Sequence, residues 1–178
     1  MLFRSYHRTH KLPVLVTRGS NNYGPYQFPE KLIPLLVTNG LEGKQLPIYG
    51  DGMNVRDWLH VEDHCAGLFA VLERGREGEA YNIGGAAERP NMDVVRVILR
   101  ELGLGEDSLV FVNDRPGHDR RYALDITKSE RELGWRPRHV FEASLPATVA
   151  WYRENRAWWT RVKSGAYREY YTQNYGAR

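Results

Sequence analysis

The sequence predicts an α/β fold, and three observations support this prediction. An apolar run at 12–17 is too short for a helix and rich in Val, which indicates a strand buried on both faces. A loop rich in Asn, Tyr, Gly and Pro follows at 20–29, and apolar residues then recur at helical spacing from Leu32 to Leu36. Further along, short apolar runs alternate with amphipathic segments, as expected when strands pack against helices.

The composition is that of a single globular domain. The chain has 178 residues, of which 42% are hydrophobic and 26% are charged. No window reaches the roughly 18 apolar residues of a membrane span. The first residues lack the apolar core of a secretory signal, so we expect a cytoplasmic protein without a membrane partner. Cys65 is the only cysteine, which excludes an internal disulfide.

The charge pattern does not indicate a nucleic-acid partner. The formal net charge is +3 and the isoelectric point is about 9.0, which permits an anionic ligand without requiring one. Basic residues are interspersed with acidic ones, as at 128–132, and no run of like charge forms a basic arm. We therefore expect most of these charged residues to lie on solvated faces of helices.

Turn and cap signals divide the chain into alternating elements. Pro29 is placed for a first helical turn, and Gly50-Asp51-Gly52 predicts a tight turn within a hairpin. Asp63 and Asn91 are placed to cap the helices that follow them. The predicted elements are a helix at 2–10, a strand at 13–18, a helix at 30–40, strands at 45–49 and 54–61, a helix at 63–75, a strand at 81–84, a helix from 91, a strand at 109–112, a short helix from 125 or 127 to 134, and a long helix at 142–163.

The loop at 20–34 is the most informative stretch. It leaves a predicted parallel strand at its carboxyl end, where open α/β sheets bind ligands. Because Asn, Gly and Pro also make ordinary turns, composition alone leaves a structural turn and a binding loop equally open.

The same stretch, Ser-Asn-Asn-Tyr-Gly-Pro-Tyr-Gln-Phe-Pro-Glu-Lys-Leu-Ile-Pro, resembles the signature loop of the dTDP-glucose 4,6-dehydratase family, in the extended short-chain dehydrogenase/reductase group. The resemblance covers nearly the whole chain, to Asn174-Tyr175. Its other motifs are Leu46–Gly52, Val55–Trp58, Val61–His64, Tyr81–Gly85 and Asp114–Asp119.

The resemblance implies a partial edge of a Rossmann-type sheet plus the smaller α/β substrate-binding domain of an extended short-chain dehydrogenase/reductase. Residues 1–40 would be a remnant of the NAD-binding Rossmann domain, and residues 41–178 mainly the nucleotide-sugar domain. The family's Gly-x-x-Gly-x-x-Gly turn, Tyr-x-x-x-Lys pair and Thr-Asp-Glu cluster are absent from this sequence. We therefore assign no catalytic residue, and we expect the chain to begin just downstream of the catalytic pair.

For function, the resemblance implies a lyase that removes water from dTDP-glucose with NAD as cofactor. Hydride leaves sugar C4, water is lost across C5–C6, and the hydride returns to C6. This chain would supply the substrate-binding portion and be inactive alone. Its protein partner would be an amino-terminal half on a separate chain, or a second copy in the homodimer of the complete enzyme. The alternatives are a stand-alone nucleotide-sugar binding module, a non-catalytic structural subunit, or a UDP-, GDP- or CDP-sugar enzyme.

Two clusters suit a nucleotide diphosphate by their chemistry. Arg56 lies on a predicted strand, and a guanidinium matches phosphate in a bidentate manner, although an ion pair with Asp57 is the structural alternative. The loop from Asp114 to His118 offers an arginine, a histidine and a glycine for close approach. Its structural alternative is a turn in which Arg115 pairs with Asp119.

The resemblance assigns a role to each candidate. Lys31 and Leu32 would contact substrate at a helix start, where free N–H groups favour anions. Pro47 and Tyr49 would lie along the base. The complete substrate set is Asn21, Lys31, Leu32, Pro47, Tyr49, Arg56, Asn91, Asp114, Arg115, His118 and Tyr175, and Asn22 is the cofactor residue.

The histidines do not predict a metal site. His60 and His64 are four residues apart, but His60 falls in a predicted strand and no third ligand follows at a useful spacing. The aromatic residues of the last helix, from Trp151 to Trp159, indicate a core or an interface.

Overall fold

The computed structural model describes residues 2–114 and 116–165, and their alternating helices and strands confirm the predicted α/β class. None of the helices in these ranges has the length and apolar character needed to cross a membrane. Besides the seven α-helices given next, the described ranges contain one 3₁₀ turn, at Glu106–Ser108. The helices are α1 (Leu2–His10), α2 (Leu32–Leu41), α3 (Val61–Arg74), α4 (Asn91–Leu102), α5 (Thr127–Leu133), α6 (Phe141–Glu154) and α7 (Arg156–Lys163). The strands are β1 (Val16–Gly19), β2 (Asn21–Tyr23), β3 (Leu46–Tyr49), β4 (Val55–His60), β5 (Ala80–Ile83), β6 (Glu88–Pro90), β7 (Leu109–Val112) and β8 (Arg121–Tyr122).

Strand β4 is the centre of the sheet that carries most of the candidate site. Strand β2 runs parallel to its second half, with Asn21 opposite Trp58. Strand β6 runs antiparallel to its first half, with Pro90 opposite Val55, and β8 runs parallel to the same half. Two further parallel pairs, β1 with β5 and β3 with β7, complete the described strand pairing. The parallel pairs join strands that are far apart in sequence, as in βαβ folds.

Two apolar cores hold these elements together. The larger core lies among α2, α4, α6 and the strands β3 and β4, and it encloses Tyr152 and Trp159 completely. The smaller core joins α3, α5 and β5 around Tyr81 and Ile83. Helix α3 approaches β5 at Gly67, where a Cβ atom would lie 2.5 Å from the Ile83 side chain. Close packing of this kind fixes β4 and the ends of its neighbours in place.

The predicted hairpin between β3 and β4 is wrong. Strand β3 pairs with β7, so that Tyr49 lies opposite Val112, whereas β4 pairs with β2, β6 and β8. The tight turn itself is present, because Gly50 and Gly52 adopt positive φ and the Gly52 N–H donates to the Tyr49 carbonyl at 3.1 Å. Glycines at positive φ set the local reversal, but long-range burial of the apolar strand β3 sets its partner.

Two predicted helix boundaries also differ. Helix α2 begins at Leu32, and Pro29 lies in the preceding turn, because Lys31 is still extended with φ −80° and ψ 154°. The predicted long last helix breaks into α6 and α7 at Asn155, which leaves helical geometry with φ −104° and ψ 38°. Its side-chain amide donates to the Trp151 carbonyl at 2.9 Å. The Trp151 carbonyl also accepts from the Asn155 N–H at 2.9 Å, so Asn155 provides both hydrogen bonds to this carbonyl at the end of α6.

The predicted first strand is shorter and more exposed than expected. Strand β1 covers Val16–Gly19 rather than 13–18, because Pro13 has no N–H for a ladder. Thr17 and Arg18 are exposed, so the strand is not buried on both faces. Among the described residues β1 pairs only with β5, which leaves its other edge open.

The cap of α3 is His60, and the prediction of Asp63 is wrong. The His60 ring accepts a hydrogen bond from the Glu62 N–H at 3.4 Å. The Asp63 carboxylate instead accepts from the backbone N–H groups of Arg138 and His139, at 3.0 and 2.9 Å. Asp63 therefore ties the start of α3 to the segment that leads into α6.

Candidate functional site

A groove beside β4 brings most of the predicted binding residues together. Its larger part is a cavity of about 540 Å³, and a second hollow of about 490 Å³ shares Asn21, Arg56 and His118 with it. The shared residues make the two hollows continuous. The larger cavity is lined by Asn21, Asn22, Gln27, Glu30, Lys31, Leu32, Ile33, Leu35, Pro47, Tyr49, Arg56, Trp58, Asn91 and His118, and the second adds Pro116, Gly117, Asp119 and Tyr122.

The fold positions the predicted residues as one constellation, although their roles stay predictions. Asp114 does not line the cavity, but its carboxylate contacts the ring of His118, which does. Arg115 and Tyr175 lie outside the described residues. The predicted residues that line the cavity are Asn21, Asn22, Lys31, Leu32, Pro47, Tyr49, Arg56, Asn91 and His118.

Arg56 presents its guanidinium to both parts of the groove while its side chain is largely buried. It is 8% exposed, and its two terminal nitrogens donate to the carbonyls of Val55 and Asp119, each at 2.7 Å. Both acceptors are neutral, and none of the ion pairs among the described residues includes Arg56. Its positive charge therefore remains available to an anion in the groove.

The alternative ion pair between Arg56 and Asp57 does not form, because Asp57 has other partners. Asp57 is 1% exposed, and its carboxylate accepts hydrogen bonds from the N–H groups of Gly85 and Ala87, each at 2.9 Å. Neighbouring residues of a strand point to opposite faces. The Asp57 side chain thus holds the loop after β5 in place, while the Arg56 side chain points to the other face and lines the groove.

His64 fixes the orientation of the Asn22 side chain. The Asn22 amide donates to the Ser20 carbonyl at 3.0 Å, so its oxygen faces His64 Nδ1 at 2.8 Å. A carbonyl-type oxygen only accepts, so Nδ1 must carry the proton. Burial lowers the pKa of His64 below its usual value, which keeps the ring neutral at pH 7. Gln27 donates to the Asn22 carbonyl at 2.8 Å and completes the support.

An aromatic and apolar wall lies at one end of the cavity. Pro47 and Tyr49 belong to β3, and the Tyr49 ring is half exposed. His118 meets that ring edge-on, with 6.5 Å between centroids, and its Nδ1 lies 2.6 Å from the Asp114 carboxylate. The carboxylate fixes the orientation of His118, so Tyr49 and His118 form a corner that suits a planar base and its sugar.

The start of α2 forms another wall. Lys31 precedes the helix and provides no side-chain cap, so the first N–H groups of α2 have no acceptor from it. Lys31 and Leu32 both line the cavity. Free N–H groups and the helix dipole favour an anion at this point.

Asn91 is not the cap of α4 that the sequence suggested. Pro90 occupies the cap position, and the Asn91 N–H is already engaged by the Asn54 carbonyl at 3.0 Å. The Asn91 side-chain oxygen is buried without a hydrogen-bond partner among the described residues, and the Trp58 indole nitrogen shares this state. Both residues line the cavity, so the groove contains unmet hydrogen-bonding capacity.

The fold also assembles a histidine cluster that sequence spacing missed. His139, which is distant in sequence, brings a third candidate ligand to His60 and Glu62, with all ligand atoms within 4.8 Å. The rings of His60 and His139 stack at 3.9 Å and 22°. Nitrogen lone pairs lie in the ring plane, so stacked rings do not converge on one ion. Burial, and then His139, lower the pKa of His60. The cluster is therefore better described as a packed histidine pair.

Comparison with known families and structures identifies the relatives of this fold. The family model described as GDP-mannose 4,6 dehydratase matches residues 1–148. The chain belongs to this family. Within it, dTDP-glucose 4,6-dehydratase of Streptomyces antibioticus is 56% identical over 163 residues, covering 92% of this chain and 49% of that protein. The Escherichia coli K12 dTDP-glucose 4,6-dehydratase 1 is 53% identical over 184 residues, covering 99% of this chain and 51% of the relative. These relatives confirm the predicted resemblance.

Solved structures in the family agree. The structure of Bacillus anthracis dTDP-glucose 4,6-dehydratase in complex with NAD matches with a TM-score of 0.87 and 55% identity, over 91% of this chain and 51% of that one. The Streptomyces venezuelae enzyme with NAD and TYD bound matches with a TM-score of 0.88 and 55% identity, over 90% and 50%. The chain spans about half the length of the relatives it matches.

The sequence did not predict a role in the site for several residues. Trp58, which lines the cavity, was considered only as part of a motif. His64, which supports Asn22 without lining the groove, was considered as a metal ligand and as part of a motif. Gln27, Glu30 and Asp119 also line the groove. Alternation along β4 could have placed Trp58 on the face of Arg56. The contact between His64 and Asn22 joins two separate elements, so no local signal in the sequence reports it.

Proposed function

We propose that this chain is the nucleotide-sugar-binding portion of an NAD-dependent dTDP-glucose 4,6-dehydratase, a lyase that produces a 4-keto-6-deoxy sugar nucleotide. The observation that carries this proposal is the single groove around Asn21, Arg56, Asn91 and His118. Relatives at 53–56% identity that are dTDP-glucose 4,6-dehydratases support it. We also propose that residues 41–178 form most of the substrate domain, that residues 1–40 complete the cofactor sheet, and that the protein works in the cytoplasm.

Arg56 would bind the diphosphate. Its guanidinium is oriented by two backbone carbonyls and has no carboxylate partner among the described residues. A charge-assisted hydrogen bond contributes about 1.5–3 kcal/mol. The first turn of α2, which begins at Leu32 after Lys31, adds free N–H groups for the same anion. Phosphate recognition is thus the largest electrostatic contribution that these residues offer.

The two ends of the groove suit the two ends of the ligand. Pro47, Tyr49 and His118 would enclose the base and its ribose on the aromatic side. Asn21, which lines both hollows, would contact the substrate with its amide. We assign no residue of this chain to proton transfer.

Asn22 would be the residue of this chain that contacts NAD. Its amide lines the cavity in an orientation fixed by His64 and Ser20, which suits contact with a polar cofactor edge. Bound NAD supplies the hydride acceptor and donor of the family's reaction. The Gly-rich turn and the Tyr-x-x-x-Lys pair are absent from this sequence, so the main cofactor contacts and the acid–base groups would come from an amino-terminal half.

That half would cover apolar surface that this chain exposes. On α1, Leu2 and Phe3 are 67% and 59% exposed, and on α3, Phe69 and Leu72 are 65% and 72% exposed. Strand β1 also has an open edge among the described residues. Exposed apolar faces and open strand edges are typical of surfaces that another unit covers. We propose that a separate amino-terminal chain, or the rest of a longer homodimeric enzyme, occupies them.

Calorimetric titration of the isolated chain with dTDP tests the binding proposal. We expect saturable binding that is weaker by about tenfold or more in Arg56→Ala, and that is unchanged in Arg96→Ala, whose exposed side chain pairs with Asp93 on α4. UDP, GDP and CDP in parallel titrations rank the alternative substrate classes. A wild-type chain that binds none of these nucleotides would contradict the proposal.

Activity assays separate a binding portion from a complete catalyst. The isolated chain with NAD and dTDP-glucose should form no 4-keto sugar, because the sequence lacks the family's Tyr-x-x-x-Lys pair and Thr-Asp-Glu cluster. Product formation by the pure chain would refute the assignment of catalysis to another half. A stand-alone binding module is the second candidate, favoured because one chain builds the whole described groove. Binding of dTDP with no gain of activity on adding the amino-terminal half of a relative would support that candidate.

A further inference from the structure

Trp58 carries a buried hydrogen-bond donor that no described group accepts. The residue is 5% exposed and lines the cavity, and its indole nitrogen is buried without a partner among the described residues. Buried indole N–H groups normally have an acceptor, because an unpaired donor is costly. An indole N–H only donates. Trp58 is therefore a donor placed for an acceptor that enters the groove.

The packing of the Trp58 ring separates its core side from its groove side. Tyr23 and Phe141 pack against the indole from the core, with centroid distances of 6.5 and 6.4 Å. Both contacts are between rings, so the core side offers aromatic surface to the indole. Residues two apart on a strand share a face, which places Trp58 on the same face as Arg56. Trp58 thus borders the groove on the face that carries Arg56, and no described group on the core side accepts its N–H.

The neighbouring groups define the chemistry of that acceptor. Asn21 lies directly opposite Trp58 in the pairing of β2 with β4, and both line the cavity. Arg56 lies two residues away on the same face. The guanidinium and the indole only donate, and the Asn21 amide can donate. A group that accepts several hydrogen bonds and carries negative charge fits this set best, and phosphoryl oxygens have both properties.

A second unpartnered atom in the cavity supports this interpretation. The Asn91 side-chain oxygen is also buried and unpaired, and Asn91 is a residue that the family resemblance assigns to substrate. Of the three such buried atoms among the described residues, two belong to residues that line this one cavity. An unpaired buried atom therefore also occurs on Asn91, which the resemblance independently assigns to substrate binding.

We propose that the Trp58 indole N–H donates to a diphosphate oxygen of the bound nucleotide, beside Arg56. This inference rests on the proposed function and adds a binding residue to it. Trp58 would act as a neutral donor that fixes the phosphate against the floor of the groove, whereas Arg56 supplies the charge.

Titration of the Trp58→Phe chain with dTDP tests the proposal, because phenylalanine keeps an aromatic ring and removes the N–H. We expect the Kd to rise about tenfold or more, since the phosphoryl oxygen loses a donor in a buried position. Trp135→Phe is the matched control, because Trp135 is buried in the smaller core and away from the groove. Its Kd should equal that of the wild type.

Ligand truncation identifies the acceptor. The penalty of Trp58→Phe should persist with dTDP-glucose and vanish with thymidine, which has no phosphate. Equal dTDP affinity of Trp58→Phe and wild type would overturn the proposal. A penalty confined to dTDP-glucose would also overturn it, because the acceptor would then be a hexose oxygen. A wild-type chain that binds no nucleotide would contradict both the proposed function and this inference. Equal dTDP affinity of the wild type and Trp58→Phe would contradict this inference alone, so the two failures are distinguishable.

A second measurement covers the case in which Trp58→Phe does not fold. The chain has five tryptophans, and each gives one indole signal in a proton–nitrogen correlation spectrum. Saturation with dTDP should move one indole signal downfield, and thymidine should leave it in place. Five indole signals that are unaffected by dTDP at saturation would overturn the proposal without any variant.

Discussion

Replacing Asp57 by alanine should destabilise the fold far more than replacing an exposed aspartate. The Asp57 carboxylate is 1% exposed and accepts the N–H groups of Gly85 and Ala87, each at 2.9 Å. Each hydrogen bond to a charged group is worth about 1.5–3 kcal/mol, so Asp57→Ala should lower the free energy of unfolding by about 3–6 kcal/mol. Asp57→Asn keeps one acceptor oxygen and should lose at least half as much.

Urea unfolding followed by circular dichroism at constant pH measures these losses. Asp93→Ala is the control, because its exposed side chain makes one ion pair with Arg96 at 3.3 Å, and it should change the unfolding free energy by about 0.5 kcal/mol or less. A loss below about 1 kcal/mol for Asp57→Ala would refute the bracing role. A double-mutant cycle with Arg56→Ala should be additive. Strong coupling would instead support the ion pair that the structure lacks.

Three further predictions follow from the packing and the protonation states. Gly85→Ala should prevent stable folding, seen as loss of the cooperative thermal transition, because a Cβ there would lie 1.8 Å from a backbone oxygen of β4. Burial lowers the pKa of both His60 and His64 in the folded chain. As the pH falls, the unfolded chain therefore takes up protons at a higher pH than the folded chain does. Stability should therefore be full above pH about 6.5 and fall at lower pH. A urea midpoint at pH 5.5 equal to that at pH 7.5 would contradict this. Tyr152→Phe removes the hydroxyl that donates to the Gln27 carbonyl at 2.8 Å, and should cost about 1–3 kcal/mol in urea unfolding; a change near zero would count against that tether.

The candidate residues of the groove could be named from the sequence mainly because they belong to motifs of the family resemblance, and their roles stay predictions. A guanidinium matches phosphate, but only the resemblance favoured binding over an ion pair for Arg56, and the resemblance alone named Asn21. The fold places both on one groove. The supporting contacts were not predictable. The bond between His64 and Asn22 joins residues from different elements, and periodicity carries no information about such pairs.

The fold errors have the same origin. The predicted tight turn at Gly50 and Gly52 is present. The glycines of this turn do not indicate that β3 pairs with β7, which comes much later in the chain. Asn91 has the composition of a cap, yet Pro90 occupies the cap position and Asn54 engages the Asn91 N–H. Local propensity thus identified the segments, whereas tertiary burial and competition for backbone groups decided their partners.

The groove draws its walls from β2, β3, β4 and the starts of α2 and α4, together with the loop at His118. A chain that has folded only part of these segments has no site to offer, so nucleotide affinity reports whether the whole scaffold has assembled. The link also works in reverse, since a ligand at 100 times its Kd favours the native state by about 2.7 kcal/mol. Under the proposed function, supply of the sugar nucleotide would therefore help the chain to reach and keep its folded state.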